Sequence, residues 1–381
     1  MIYLDAAATT PVRQEVLDVI IPLLTSDYGN PSSTHEMGQS AARALDYART
    51  TAANVLGVRS GDIVFTSGGT ESNNLALKGL ALANPRGKHI IISVIEHPSV
   101  AEAALYLERH HGFTVDVVPV TAEGLVDLPV LESFLRADTT LVSIMAVNNE
   151  VGTIQPSSRI AAAARSVGAL VHCDAVQAAG WLDIAEIASH VDALSLSGHK
   201  IGGLKGAGLL MVRGKLGLEP LVHGGGQERE RRSGTENVAG AVSTATALVN
   251  AAQSNAAGTA QNHGEYFIDA VLGGLNTDGR TRAVLTGDRS ERVPGIASFV
   301  FPETGGETVL LELERRGVVC SSGSACAAGS TDASHVLLAL GYDEQTAHTA
   351  VRLSFTRTVK EAEIATAARA VIATVKAIAG Q

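Results

Sequence analysis

Ser195-Leu-Ser-Gly-His-Lys200, running on into Ile-Gly-Gly-Leu-Lys-Gly206, is the stretch from which the fold can be read. Residues 191–196 set apolar side chains around small polar ones, which predicts a short buried strand. Ser197, Gly198, His199 and Lys200 come at once after it, with glycines at 202, 203, 206 and 208. A glycine-rich turn directly after a buried strand holds a lysine in one place. That suits an amine whose pKa must fall so that it can form a Schiff base. A lone loop lysine more often simply faces solvent, so the neighbours of Lys200 have to decide between the two readings.

Outward from this turn, strands and helices alternate. Apolar runs at 63–66, 90–94, 114–119, 141–147, 170–173, 193–196 and 208–212 predict seven strands, with helices at 71–83, 100–109, 128–135 and 158–167 between them. This βαβ rhythm predicts an α/β fold with a mainly parallel seven-stranded sheet covered on both faces. The run at 209–212 comes too soon after its predecessor for a crossover helix and is expected to be antiparallel. Before the sheet, residues 1–11 read as extended and 12–24 as a helix. Ala41, Leu45, Ala48, Ala52 and Val55 recur at helical spacing up to Gly57. Alanine-rich 239–257 predicts a long helix leading to a smaller α+β C-terminal domain with elements at 297–301, 306–316, 318–320 and 360–378. The expected division is 12–257 for the large domain and 1–11 plus 258–381 for the small one.

The 381 residues are 45% apolar, with 39 glycines and 4% aromatics, as suits an α/β enzyme. The net charge of −10 argues against direct nucleic-acid binding. The one basic cluster, Arg229, Arg231 and Arg232, is interleaved with Glu228 and Glu230 and reads as a local anion site or an interface. Three cysteines give neither a disulfide framework nor metal-ligand spacing. The N-terminus lacks the marks of a secretory leader. No stretch approaches the roughly 20 apolar residues of a membrane span. A cytoplasmic, reducing setting is expected, where a free thiol can be reactive.

Four features are expected at the C-terminal ends of the strands, where open α/β sheets place ligands. Gly68-Gly69-Thr70 opens a helix whose free N–H groups and dipole could cradle a phosphate, although such a turn is often only a cap. Glu96-His97-Pro98 offers a ring that could stack or carry a proton. Asp174 ends the strand in His172-Cys-Asp-Ala-Val-Gln177 and could pair with a protonated pyridine nitrogen, or could merely cap the next helix; Gln177 is in reach of a ring hydroxyl. Lys200 comes one strand later, with Ser197 and His199 placed for a phosphate, and Arg232-Ser-Gly-Thr235 adds further donors. Together they point to pyridoxal 5'-phosphate.

These motifs resemble the cysteine desulfurases of the NifS/IscS branch, within the class-V aminotransferases and fold-type I pyridoxal phosphate enzymes. The resemblance runs from Tyr3-Leu-Asp-Ala-Ala-Ala-Thr-Thr-Pro11 to about Arg357. It also rests on Gly29-Asn-Pro-Ser-Ser33, Thr66-Ser-Gly-Gly-Thr-Glu-Ser72, Asn148-Asn-Glu-Val-Gly152, Ser197-Gly-His-Lys200, Gly224-Gly-Gly-Gln227, Arg232-Ser-Gly-Thr-Glu-Asn237 and Ser321-Ser-Gly-Ser-Ala-Cys326. It implies removal of sulfur from L-cysteine to give L-alanine and a persulfide on Cys326, with Lys200 and His97 as the other catalytic residues. Gly69, Thr70, His97, Asn149, Asp174, Gln177, Ser197, His199, Lys200 and Thr235 are then the cofactor residues. Asn30, Asn149 and Arg352 lie on the substrate side. The resemblance further implies a homodimer and a sulfur acceptor such as an iron–sulfur scaffold or a tRNA-thiolation enzyme. No resident metal is implied beyond a transient iron–sulfur ligand role for Cys326. Leu204 replaces a frequent Pro, Ala333 another, and the chain ends at Gln381, earlier than is usual in this branch.

The three thiols differ in setting. Cys326 lies among Ser, Gly and Ala, with nothing to pack against, so an exposed and mobile loop is expected there. Cys173 and Cys320 sit in or beside predicted strands, as small buried hydrophobes do. Two rivals remain at this point. An aminotransferase or selenocysteine lyase of the same fold would share the cofactor residues, but an aminotransferase would not need Cys326. A scaffold protein that had lost its chemistry would lack Lys200 or the thiol, and both are present.

Overall fold

The computed structural model describes residues 1–84, 86–255, 259–277, 280, 282–322 and 332–379. Among them the strands are, in order, Ile2–Tyr3 (β1), Ile63–Thr66 (β2), His89–Ser93 (β3), Thr114–Val118 (β4), Thr139–Ser143 (β5), Leu170–Asp174 (β6), Ala193–Ser197 (β7), Gly208–Val212 (β8), Val284–Leu285 (β9), Ile296–Val300 (β10), Val318–Val319 (β11) and Ala350–Ser354 (β12).

Seven of these form the central sheet in the order β2-β8-β7-β6-β5-β3-β4. All neighbouring pairs from β7 through β4 are parallel, and β8 runs antiparallel to both β7 and β2. The short link between β7 and β8 leaves no room for a crossover, so that strand has to reverse. The strands are buried on both faces, and their pleat divides them between two cores. Ile90, Leu141, Ala193 and Leu210 pack with Leu75, Leu80, Val100 and Ala104 of helices Gly69–Ala83 and Pro98–His111. Their strand neighbours Ile91, Val142, Leu194 and Leu209 face the other way, onto helices Glu36–Leu56, Ser157–Ser166, Ile184–His190 and Val238–Asn255.

A separate cluster of buried residues joins Leu4 to Phe267, Phe299, Phe355, Val371 and others of the C-terminal part. It packs around a three-stranded antiparallel sheet, β12-β10-β9, and the helices Gly306–Arg315 and Glu361–Ala379. The N-terminal segment is sewn into it: β1 pairs in parallel with β11, and Ala6 N and Ala7 N donate to Ser354 O and Oγ at 3.1 and 2.8 Å. Residues 7–10 then pass to the Lys200 turn, where Thr10 N and Oγ1 donate to His199 O and Gly202 N donates back to Thr10 Oγ1. Leu204, where a Pro would be usual in this branch, uses its N–H to reach Ser243 Oγ at 2.8 Å, a bond that Pro cannot make. Among the described residues no helix is long and apolar enough to cross a membrane.

Candidate active site

The expected strand-end features do meet. The turn after β2, the turn after β3, the last residue of β6 and the turn after β7 line one cavity of about 220 Å³. Its walls carry Gly69, Thr70, His97, Asn149, Asp174, Gln177, Ser197, His199 and Lys200, all nine of them read from the sequence. Asn73, Ser99, Met145, Val147 and Val176 complete it.

At its floor, Asp174 Oδ2 accepts from Asn73 Nδ2 at 2.6 Å, and Oδ1 accepts from Val176 N at 3.0 Å. The carboxylate therefore both ends the strand as a turn and faces the cavity. Asn73, which the sequence reading missed, is buried one turn into the helix from Thr70, with its Oδ1 unpartnered. Its second amide proton goes to Ser99 Oγ at 2.9 Å, and Ser99 Oγ lies 2.7 Å from His97 Nδ1. Burial lowers the His97 pKa, while Asp174 pulls it up and Lys200 and His335 push it down. His199 is held lower still, at about 4, first by burial and then by Lys200 and Lys205.

Lys200 Nζ donates to the carbonyls of Ala7 and, at 2.9 Å, Ala8. Gln177 Nε2 reaches the same Ala7 O at 2.9 Å. The N-terminal segment thus sets the lysine from behind. Opposite, the helix Gly69–Ala83 starts at the cavity with its free N–H groups. A Cβ on Gly69 would lie 2.8 Å from Val176 Cγ2, so only glycine leaves that approach open. A helix N-terminus, a carboxylate with its own buried donor, an imidazole and a lysine around 220 Å³ fit a pyridoxal phosphate.

Other expected residues lie elsewhere. Arg352 is fully buried in β12, ion-paired to Asp5 at 3.0 Å and donating to Asn149 O at 3.0 Å, with Nε unpartnered. It reaches the cavity wall only through Asn149. Asn30 is exposed on the loop before helix Glu36–Leu56, where its side chain accepts from Ser32 N at 2.9 Å. Thr235 is exposed in a neighbouring hollow with Thr66, Ser67 and Arg232. Cys326 lies outside the described residues. The chain on either side of it is anchored close by: Ser321 and Arg352 exchange backbone hydrogen bonds, and Ser334 Oγ and His335 Nε2 bond Glu150 Oε2 and Glu96 O. The settings of Cys173 and Cys320 disfavour the thiolate. Burial pushes Cys320 up to about 12 and Cys173 well above its ordinary value.

Comparison with known proteins gives the same answer from another side. The family described as aminotransferase class-V matches residues 2–366. Cysteine desulfurase IscS of Dictyoglomus turgidum is 42% identical over 356 residues, covering 93% of this chain and 89% of that protein. Cysteine desulfurase IscS of Methanosarcina thermophila is 42% identical over 359 residues, covering 93% and 87%. A solved NifS-like protein superposes with a TM-score of 0.89 at 38% identity over 98% of both chains. The structure described as SspA in complex with cysteine gives 0.80 at 34% identity over 93% of this chain and 99% of its own. Coverage is nearly end to end in sequence and in fold, so the chain belongs to the class-V aminotransferase family and, within it, to the cysteine desulfurases of the NifS/IscS kind.

Proposed function

We propose that this enzyme uses pyridoxal 5'-phosphate to take the sulfur from L-cysteine, releasing L-alanine and leaving a persulfide on Cys326. The observation that carries the reading is the meeting of Lys200, Asp174, His97 and the Gly69–Thr70 helix start around one cavity. Asp174 would hold the ring nitrogen, His97, Asn149 and Gln177 the ring and its hydroxyl, and Gly69, Thr70, Ser197 and His199 the phosphate. Bound there, the cofactor supplies an electron sink for the substrate α-carbon.

The chain's own groups do the rest. Lys200, steered by the Ala7 and Ala8 carbonyls, takes the α-proton. His97 faces the substrate through Nε2, the nitrogen that Ser99 leaves unengaged. The Cys326 thiolate attacks the substrate sulfur. The bond between the substrate's β-carbon and its sulfur breaks with the electron pair going to carbon, the β-carbon gains a proton, Lys200 returns one to the α-carbon, and the sulfur stays on the enzyme as the persulfide. Arg352 is read as the grip on the substrate α-carboxylate, which would have to displace Asp5 or Asn149 O, since the guanidinium is fully buried between them. In this reading residues 12–257 bind the cofactor, and 1–11 with 258–381 carry the cysteine loop.

The enzyme is read as a cytoplasmic homodimer in which Thr235, exposed and standing off its own cavity, serves the partner subunit's site, and Asn30 is read as a substrate-side group. The sulfur would pass to an iron–sulfur scaffold or a tRNA-thiolation enzyme. The test is to treat the enzyme with L-cysteine, quantify alanine and locate the added sulfur by mass spectrometry. Extra mass on Cys326 with stoichiometric alanine is expected. Sulfur on Cys173 or Cys320 with Cys326 unmodified would overturn the assignment.

A further inference from the structure

Three hydrogen bonds run from the floor of the cavity to His97, and their direction is fixed. Asn73 Nδ2 gives one proton to Asp174 Oδ2 at 2.6 Å and the other to Ser99 Oγ at 2.9 Å. The amide cannot be turned round, because its carbonyl would then face a carboxylate oxygen at that distance. Ser99 Oγ accepts from Asn73, so its own proton is available for His97 Nδ1 at 2.7 Å. The Ser99 backbone N–H points at the same Nδ1, at 3.1 Å, and a backbone N–H is a donor in every state. Nδ1 therefore meets two donors and must be bare.

We propose that Asn73 and Ser99 are positioning residues that hold His97 as its neutral, Nε2-protonated tautomer, so that the ring offers the substrate an N–H as a hydrogen-bond donor. The tautomer assignment stands on this geometry alone; the catalytic consequence rests on the desulfurase reading above. Protonating Nδ1 would set its N–H against the Ser99 N–H and strand the serine proton, since Asn73 offers it no acceptor. The charged imidazolium is thus disfavoured by its partners as well as by burial. The other titratable groups that bear on the ring are Asp174 at the end of β6, Lys200 after β7 and His335 at the start of helix His335–Ala339, with Glu96 its neighbour in the chain.

The test uses full-length holoenzyme labelled with [15N]histidine, the His97 ring signals being identified by their loss in His97→Gln. A protonated Nε2 with a bare Nδ1 is expected. In Ser99→Ala the ring should become a mixture of tautomers, and the pH at which the ring takes up its second proton, followed by the same 15N signals, should move up by about one unit. Ser99→Thr, which keeps the hydroxyl, should restore both. A wild-type ring protonated at Nδ1 overturns the proposal, and so does a Ser99→Ala enzyme with unchanged tautomer and unchanged ring titration. Should Ser99→Ala fail to fold, the wild-type ring signals still decide. Absence of alanine release from wild-type enzyme would sink the functional reading while leaving the tautomer result intact.

Discussion

Glu96, next to His97, is enclosed. Its Oε1 accepts from Ser93 Oγ at 2.5 Å and from Met145 N at 3.0 Å, and its Oε2 has no partner. Burial pushes this carboxyl up to about 8, and the charge of Asp174 works in the same direction. An unfolded chain releases that proton near pH ~4.3. Between the two values the folded protein holds a proton that the unfolded one has lost. Stability is therefore greatest below the window and falls as pH rises through it, by about 1.4 kcal/mol per unit. Glu96→Gln keeps the acceptor and has no charge to acquire. Its melting temperature, relative to wild type, should climb from about pH 5 to about pH 8; a flat difference would mean that Glu96 is ionised in the fold. The thiols give a second residue-scale expectation. With Cys173 and Cys320 held as thiols by burial, Cys173→Ser and Cys320→Ser should retain turnover. Cys326→Ser should keep the cofactor's visible absorbance and lose sulfide release, since a hydroxyl is a poor nucleophile at neutral pH. Lys200→Ala should lose both.

At the scale of elements, β8 is held where only glycine fits. A Cβ on Gly208 would lie 2.7 Å from Gly68 Cα and 2.7 Å from Leu196 O, backbone on both sides. Gly208→Ala must shift the strand or the turn that leads into Gly69 and Thr70. A loss of about 1–3 kcal/mol is expected, together with weaker uptake of pyridoxal phosphate. Gly206, with φ of 73° and nothing within 4 Å of its would-be Cβ, is the control. Gly206→Ala should cost about 1 kcal/mol of backbone strain and leave cofactor affinity alone. Equal effects on cofactor affinity in a titration would remove the packing explanation.

The same elements show what a sequence can and cannot reveal. The β strands were legible because burial on both faces makes each a plain apolar run. The run at 141–147 nevertheless stops being a strand at Ser143, and beyond it the Glu96 carboxyl takes Met145 N where a neighbouring strand would have continued. β9 is two residues long and carries no pattern of its own. The cavity's nine foreseen residues were legible because strand ends in this topology converge. Asn73 was not foreseen: it lies in the polar run 70–74 that opens the helix, where nothing in the sequence sets it apart from Asn74. The partnership of Arg352 with Asp5 spans nearly the whole chain, and no local pattern encodes it.

At the scale of the whole molecule, the first two helices leave an apolar face uncovered. Leu24, Tyr28 and Tyr47 are 60%, 67% and 75% exposed, with Val19, Ile21 and Met37 also exposed on the same segment. Single exposed apolar residues are ordinary, but a run of them along one segment is the kind of surface the proposed homodimer would cover. The loop carrying Thr235 is fixed beside this region. Glu228 is buried, takes Arg49 through both oxygens at 2.7 Å and accepts from Phe65 N at 2.9 Å. Glu228, Arg229 and Glu230 all adopt left-handed φ values, of 49°, 59° and 65°, a strained turn that this buried ion pair sustains. The turn delivers Thr235 exposed and out of its own cavity, as a residue acting in the partner subunit's site requires.

Losing one phosphate hydrogen bond should weaken cofactor binding by about tenfold, so Thr235→Ala should load poorly when cofactor is limiting. The decisive experiment mixes two defects. A heterodimer of Lys200→Ala and Thr235→Ala subunits has one site with its own Lys200 and a wild-type Thr235 donated by the partner, if Thr235 acts across the interface. Under limiting cofactor it should then recover about half the wild-type activity per dimer, one site in two being whole. If Thr235 acts within its own chain, both sites are defective, and the mixture does no better than the average of its parents.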